Sequence, residues 1–119
     1  MMLSAPIAPH QAIHIPYSFP PNSAIKLQVF ATQPVDVYMV TFEGLAAFAT
    51  TGTPEPAWIK SIGRTAHAIG RVLPPQPQWN LLIVNPSDAS VTVNYDVTIE
   101  GYGFGPTGFG SSGSTGPYR

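Results

Sequence analysis

Residues 79–103, WNLLIVNPSDASVTVNYDVTIEGYG, decide how this chain folds. In 91–100 apolar and polar residues alternate strictly. Val91, Val93, Tyr95, Val97 and Ile99 take one side, and Thr92, Asn94, Asp96, Thr98 and Glu100 the other. Period two over ten residues marks a β-strand with one buried face. The run before it, 79–85, is apolar on both parities. It suits a central strand covered on both faces, or one whose outer face meets a partner. Between them stands Asn85-Pro86-Ser87-Asp88-Ala89. Pro86 presets φ, and Ser87 and Asp88 bond locally, so a turn is expected. Strands 79–85 and 90–100 are then expected to pair as an antiparallel hairpin. Trp79, Leu81 and Ile83 would share a core layer with Val91, Val93, Tyr95 and Val97.

Working outward, fourteen prolines divide the chain. Proline is excluded from central strands, so ladder strands belong in the gaps 22–33, 35–53, 57–73, 78–85 and 87–105. Ile25, Leu27 and Val29 share a face, as do Val35, Val37 and Met39. Two short strands, about 57–62 and 65–73, are expected to hinge at Gly63, with a further strand in AIHIPYS at 12–18. Only TFEGLAAFATTG has helical character. Thr41 stands where a cap belongs, and a short helix is expected near 42–48. The fold class that follows is all-β: an antiparallel β-sandwich, jelly-roll-like, of seven or eight strands. It occupies 12–100, between an extended N-terminal arm at 1–11 and a tail at 101–119.

The chain has 119 residues, no cysteine, a net charge of −1 and only 9% charged residues. An average domain carries about 25%. One domain of this size buries roughly two-thirds of its unfolded surface and needs no staples. Absence of cysteine removes disulfides, a thiolate nucleophile and cysteine zinc ligation, and leaves the compartment open. Five basic residues scattered from Lys26 to Arg119 form no basic stripe, so nucleic-acid binding is not expected. No apolar run reaches the roughly 18 residues of a membrane span. The N-terminus lacks a basic segment and is broken by Pro6 and Pro9, so no signal peptide is expected. A surface with so little charge repels its own copies weakly and invites assembly.

VDVYMVTFEGLAAF is an extended run ending in a helical excursion. RVLPPQPQWNLLIVNPSDASVTVNYDVTI is a proline-marked entry, an aromatic-led strand, a turn and an alternating strand. This order resembles small β-sandwich domains of the GOLD and bacterial pre-peptidase C-terminal type, and a small bacterial domain with the rhythm V-x-V…W-N-x-x-I. The resemblance spans about 12–100 and implies a jelly-roll-like sandwich with binding, assembly or accessory roles. The acidic cluster of calcium-binding sandwich members is missing, and no functional residue carries over.

Little here points to chemistry. His10 and His14 are flanked by Pro9 and Pro16, so they share no helix. On a strand they stand about 13 Å apart, too far to share an ion. No metal or cofactor is expected. The carboxylates Asp36, Glu43, Glu55, Asp88, Asp96 and Glu100 are dispersed; Asp96 and Glu100 share the polar face of the last strand, with Asp36 expected on a neighbouring one, and solvated outer-face charges are the reading preferred over a paired-carboxylate site. Ser61 with His67 is a generic nucleophile–base combination without a G-x-S-x-G elbow. GYGFGPTGFG has dinucleotide-like glycine spacing but no helix after it.

Tyr38 and Trp58 are the rings to consider for a solvent-facing platform, against a glycan. The tail holds seven of the eleven glycines and four aromatics. Phe104, Phe109 and Tyr118 are its natural anchors on a neighbouring surface. The expected function is therefore a non-enzymatic structural protein that self-assembles or decorates a capsid, cement layer or fibre. Its interface would be Phe104, Phe109, Tyr118, Tyr38 and Trp58, and its partner itself or another structural protein. The alternative is a soluble β-sandwich module that binds a glycan or a protein.

Overall fold

Six β-strands and one helix make up the described part of the chain, residues 2–76 and 78–102 of a computed structural model. They run β1 (Leu3–Ile7), β2 (Ala12–Tyr17), β3 (Ser23–Val40), α1 (Phe42–Thr51), β4 (Ala57–Val72), β5 (Trp79–Val84) and β6 (Val91–Tyr102). All pairings are antiparallel and belong to one sheet, curled into a half-barrel. The strand order is β1-β6-β3-β5-β2, with β4 on β3.

The long β3–β4 ribbon organises the sheet. Residues 23–31 of β3 pair with β6, and residues 36–40 pair with β5. Strand β4 follows β3 along nearly its whole length, from Ala24↔Val72 to Val40↔Ala57. Register shifts between Phe30 and Val35 and between Val35 and Val37 bend the ribbon. Pro34 lies within the first shift, where it withholds no ladder hydrogen bond that a regular pair would need. At the second shift, between the pairs Val35↔Arg64 and Val37↔Ser61, Gly63 adopts φ +70. That left-handed conformation costs a residue with a Cβ but not glycine, which suits it to a bulge.

The breaks expected at Pro34 and Gly63 are therefore bends within strands and do not end them. The runs 22–33 and 35–40 fuse into β3, and 57–62 and 65–73 fuse into β4. Six strands stand where seven or eight were expected, among the described residues.

Parity assigns the core correctly. Ile25, Leu27 and Val29 meet Val35, Val37 and Met39 across the curl, with Trp79, Leu81, Ile83, Val91, Val93, Tyr95, Val97 and Ile99 in the same cluster. Each such side chain, once fully buried, contributes about 1.5–3 kcal/mol. A smaller cluster of Tyr38, Val40 and Leu82 lies on the other face, under Leu45 and Phe48 of α1. This explains the two-sided apolar character of β5: Leu81 and Ile83 face the main core, and Leu82 faces the helix.

Strands β5 and β6 do not form the expected hairpin. Strand β5 pairs with β2 and β3, and β6 with β1 and β3. Asn85, in the connection between them, is buried. The two N–H groups of its Nδ2 are shared among the carbonyls of Ile7 (3.1 Å), Ala8 (3.1 Å) and Ala89 (2.8 Å). Its Oδ1 accepts from the N–H (3.0 Å) and hydroxyl (2.8 Å) of Ser87. The turn is thereby tied to the β1–β2 connection, and both connections carry the chain from one arm of the curl to the other.

Residues 1–11, expected as an arm, contain β1, which pairs with β6 from Leu3↔Tyr95 to Ile7↔Val91. Ile7 joins the core. Strand β6 runs past the expected boundary at 100, with Tyr102 opposite Ser23. The remaining tail lies outside the described residues.

The helix occupies 42–51, longer than the expected 42–48. Thr41 is its N-cap residue, but its side chain makes no capping hydrogen bond.

Candidate functional site in the curl of β4

Strand β4 is an edge of the sheet, paired only with β3 among the described residues. Because β3 bends, β4 bends with it until its two ends touch. Trp58 Nε1 donates to the carbonyl of Val72 at 3.0 Å. At the apex, the Gly63 N–H donates to Asp36 Oδ1 at 2.8 Å.

The curl encloses an open cleft of about 400 Å3. Ile59, Ser61, His67 and Ile69 line it, together with Lys60, Arg64 and Arg71. His67 is only 2% exposed. Its Nε2 lies 2.9 Å from the Arg64 carbonyl, which can only accept, so Nε2 carries a proton. In the neutral ring Nδ1 is then the acceptor of the Ser61 hydroxyl, 2.7 Å away. Burial is the main influence on this imidazole and pushes its pKa below the ordinary value; the neighbouring Arg64 charge acts in the same direction, and Asp36 opposes it.

The Ser61–His67 combination named from sequence is thus brought together. A hydroxyl on a neutral imidazole is the contact a nucleophile needs. Here the third partner is a backbone carbonyl, and the ring spends both nitrogens on residues 61 and 64, either side of Gly63. The arrangement braces the bend of β4.

Three cations gather at this cleft, a convergence not legible in the sequence. Lys60 and Arg71 are eleven positions apart, and only the curl brings them to one rim. No acidic partner is paired with Lys60, Arg64 or Arg71 among the described residues.

The other residues singled out from sequence are dispersed. Trp58 is 47% exposed. Tyr38 is 8% exposed beneath α1, which removes its ring from any solvent-facing platform. Burial raises the pKa of its phenol, reinforced by Asp36 and Glu55. Phe104, Phe109 and Tyr118 lie outside the described residues. His10 Nε2 meets Asp88 Oδ1 at 2.6 Å on the surface, linking the β1–β2 and β5–β6 connections. His14 pairs opposite Leu82 on β2. Asp96 stands opposite Gln28 and Asp36 opposite Val84, so these two carboxylates occupy different arms of the curl.

A second, smaller groove of about 220 Å3 lies at the Trp58 end, lined by Thr41, Glu43, Trp58 and Gln76 among others. The Thr41 hydroxyl is buried there without a hydrogen-bond partner among the described residues. No helix of the described residues is long and apolar enough to cross a membrane.

No family model matches the chain. No curated protein matches it either.

Proposed function

We propose that this protein is a non-enzymatic structural subunit that assembles with further copies of itself through the outer edge of β4. The observation that carries this reading is the concentration of exposed apolar side chains on that edge. Trp58 (47% exposed), Ile62 (47%) and Val72 (54%) all belong to β4, and Phe30 stands beside them on β3. An edge strand offers unpaired backbone donors and acceptors to another strand. The edges at β1 and β2 are short and contain Pro6 and Pro16, which lack the N–H a new ladder requires. Strand β4 has sixteen residues and no proline. In this reading the curled sheet is a one-chain β-sandwich of jelly-roll-like kind, and Phe104, Phe109 and Tyr118 add contacts to the next copy.

Light scattering against concentration tests it. The full chain should weigh a multiple of 12.7 kDa. Ile62→Lys should return it to the monomer with an unchanged far-ultraviolet spectrum. A chain ending at Tyr102, which keeps β6 whole, measures the tail's share. A full chain that stays monomeric to millimolar concentration overturns the proposal.

The alternative is a glycan-binding module. One observation favours it: the half-exposed Trp58 shares its groove with Glu43, Gln76 and the Thr41 hydroxyl, a ring with polar groups beside it. A monomeric chain that retains glycans on an array, and loses them in Trp58→Ala, supports that reading over assembly.

A further inference from the structure

We infer that the cleft inside the curl of β4 binds a small oxyanion of the phosphate or sulfate type. The argument starts from scarcity. The chain has five basic residues, and three of them, Lys60, Arg64 and Arg71, line one cleft of about 400 Å3. Lys26 is not among the lining residues, although on β3 it stands opposite Gly70, between Ile69 and Arg71. In a chain whose net charge is −1, this clustering makes one region positive.

Like charges around one concavity repel, and nothing within the described structure neutralises them. No ion pair joins the three cations to a carboxylate. Asp36, which acts on the same region, has Oδ1 engaged by the Gly63 N–H at 2.8 Å. An oxyanion in the cleft would relieve that repulsion. Arginine suits it, because the guanidinium presents paired donors that match the spacing of phosphate or sulfate oxygens. The open cleft, about 400 Å3, leaves room for a tetrahedral group together with a substituent. Ile59 and Ile69 on the same wall limit water on one side and strengthen charge–charge attraction there. Ile62 lines this cleft as well as the assembly edge, so the variants below leave it in place.

The test is an amide-resolved titration of the full chain with sodium phosphate and sodium sulfate, at ionic strength held constant with sodium chloride. Saturable shifts confined to residues 59–71 are expected. The double variant Arg64→Gln/Arg71→Gln should weaken binding at least tenfold. Lys26→Gln removes the same kind of charge beside the cleft without removing a lining residue, and should weaken binding much less than the double variant. If the double variant fails to fold, Lys60→Gln takes its place, with a smaller loss expected.

A phosphate monoester and a sulfated disaccharide, titrated in parallel, distinguish a free ion from a ligand-borne group: tighter binding than the free ions assigns the latter. Non-saturating shifts, shifts mapped elsewhere, or an equal loss in Lys26→Gln overturn the inference.

Discussion

The indole of Trp58 donates to the carbonyl of Val72 at 3.0 Å, across fourteen positions of a single strand. Fourteen residues of straight strand span well over 40 Å, so this bond exists only because β4 curls back on itself. The curl depends on the shifted register around Pro34 and Gly63.

That dependence can be measured at Gly63. Its φ of +70 disfavours a Cβ, although nothing lies within 4 Å of where one would sit. The cost is therefore conformational alone, about 1–2 kcal/mol for Gly63→Ala. Gly63→Asn should cost less, because asparagine tolerates the left-handed region. Urea unfolding of the two variants checks the order. Equal stability of both with the parent would mean the bend does not need this conformation.

The contrast between what the sequence reveals and what it conceals lies in this same ribbon. Parity identifies the buried faces of β3, β5 and β6 because one-sided burial imposes a period of two. Pairing partners are another matter: Trp79 and Val93 reach the same core whether β5 and β6 lie side by side or face each other. Asn85 ties the connection to Ile7 and Ala8, 78 and 77 residues away, a contact that no local pattern shows. The gathering of Lys60, Arg64 and Arg71 is hidden differently: they share one strand, and only its curl turns them to one cleft. Pro34 and Gly63 were visible as punctuation, but punctuation does not distinguish a bulge from an end.

Asn85 gives a second prediction. Asn85→Ala removes the two amide donors shared by three carbonyls and the acceptor that holds Ser87. Leaving such groups unpaired in a buried place costs about 1–3 kcal/mol each, partly recovered by water, so a total near 3 kcal/mol is expected. Asn85→Asp keeps the acceptor for Ser87 and loses both amide donors, so it should not rescue stability. Hydrogen exchange should accelerate first at β1, the strand this side chain holds. Uniform acceleration throughout the sheet would assign Asn85 a global role instead.

Gly44 sets two effects against each other. Alanine favours a helix by about 1 kcal/mol over glycine. Yet a Cβ at Gly44 would lie 2.5 Å from the Pro56 carbonyl oxygen and 2.9 Å from Val40 Cβ. Both are too close, and one is backbone, so α1 would have to lift from the small core of Tyr38, Val40 and Leu82. Overpacking of this kind costs about 1–3 kcal/mol. Gly44→Ala should therefore destabilise the protein despite its helix preference, with the fluorescence of Tyr38 reporting a loosened helix. A stabilised variant would show that α1 has room to move.

His67 makes stability depend on pH, and the sign follows from its burial. The folded protein holds this imidazole below its ordinary pKa, whereas the unfolded chain titrates near 6.5. Between the folded value and about 6.5 the unfolded state binds more protons, so acid favours unfolding. Stability from this group is complete above about pH 6.5 and declines as pH falls through the window below it. His67→Gln replaces the ring with a side chain that does not titrate and can still donate to the Arg64 carbonyl. Urea unfolding at pH 7.5 and pH 5 should give a larger loss on acidification in the parent than in the variant. Equal losses would mean that protonated His67 is accommodated in the folded curl, with Nδ1–H donating to the Ser61 oxygen in place of accepting from it.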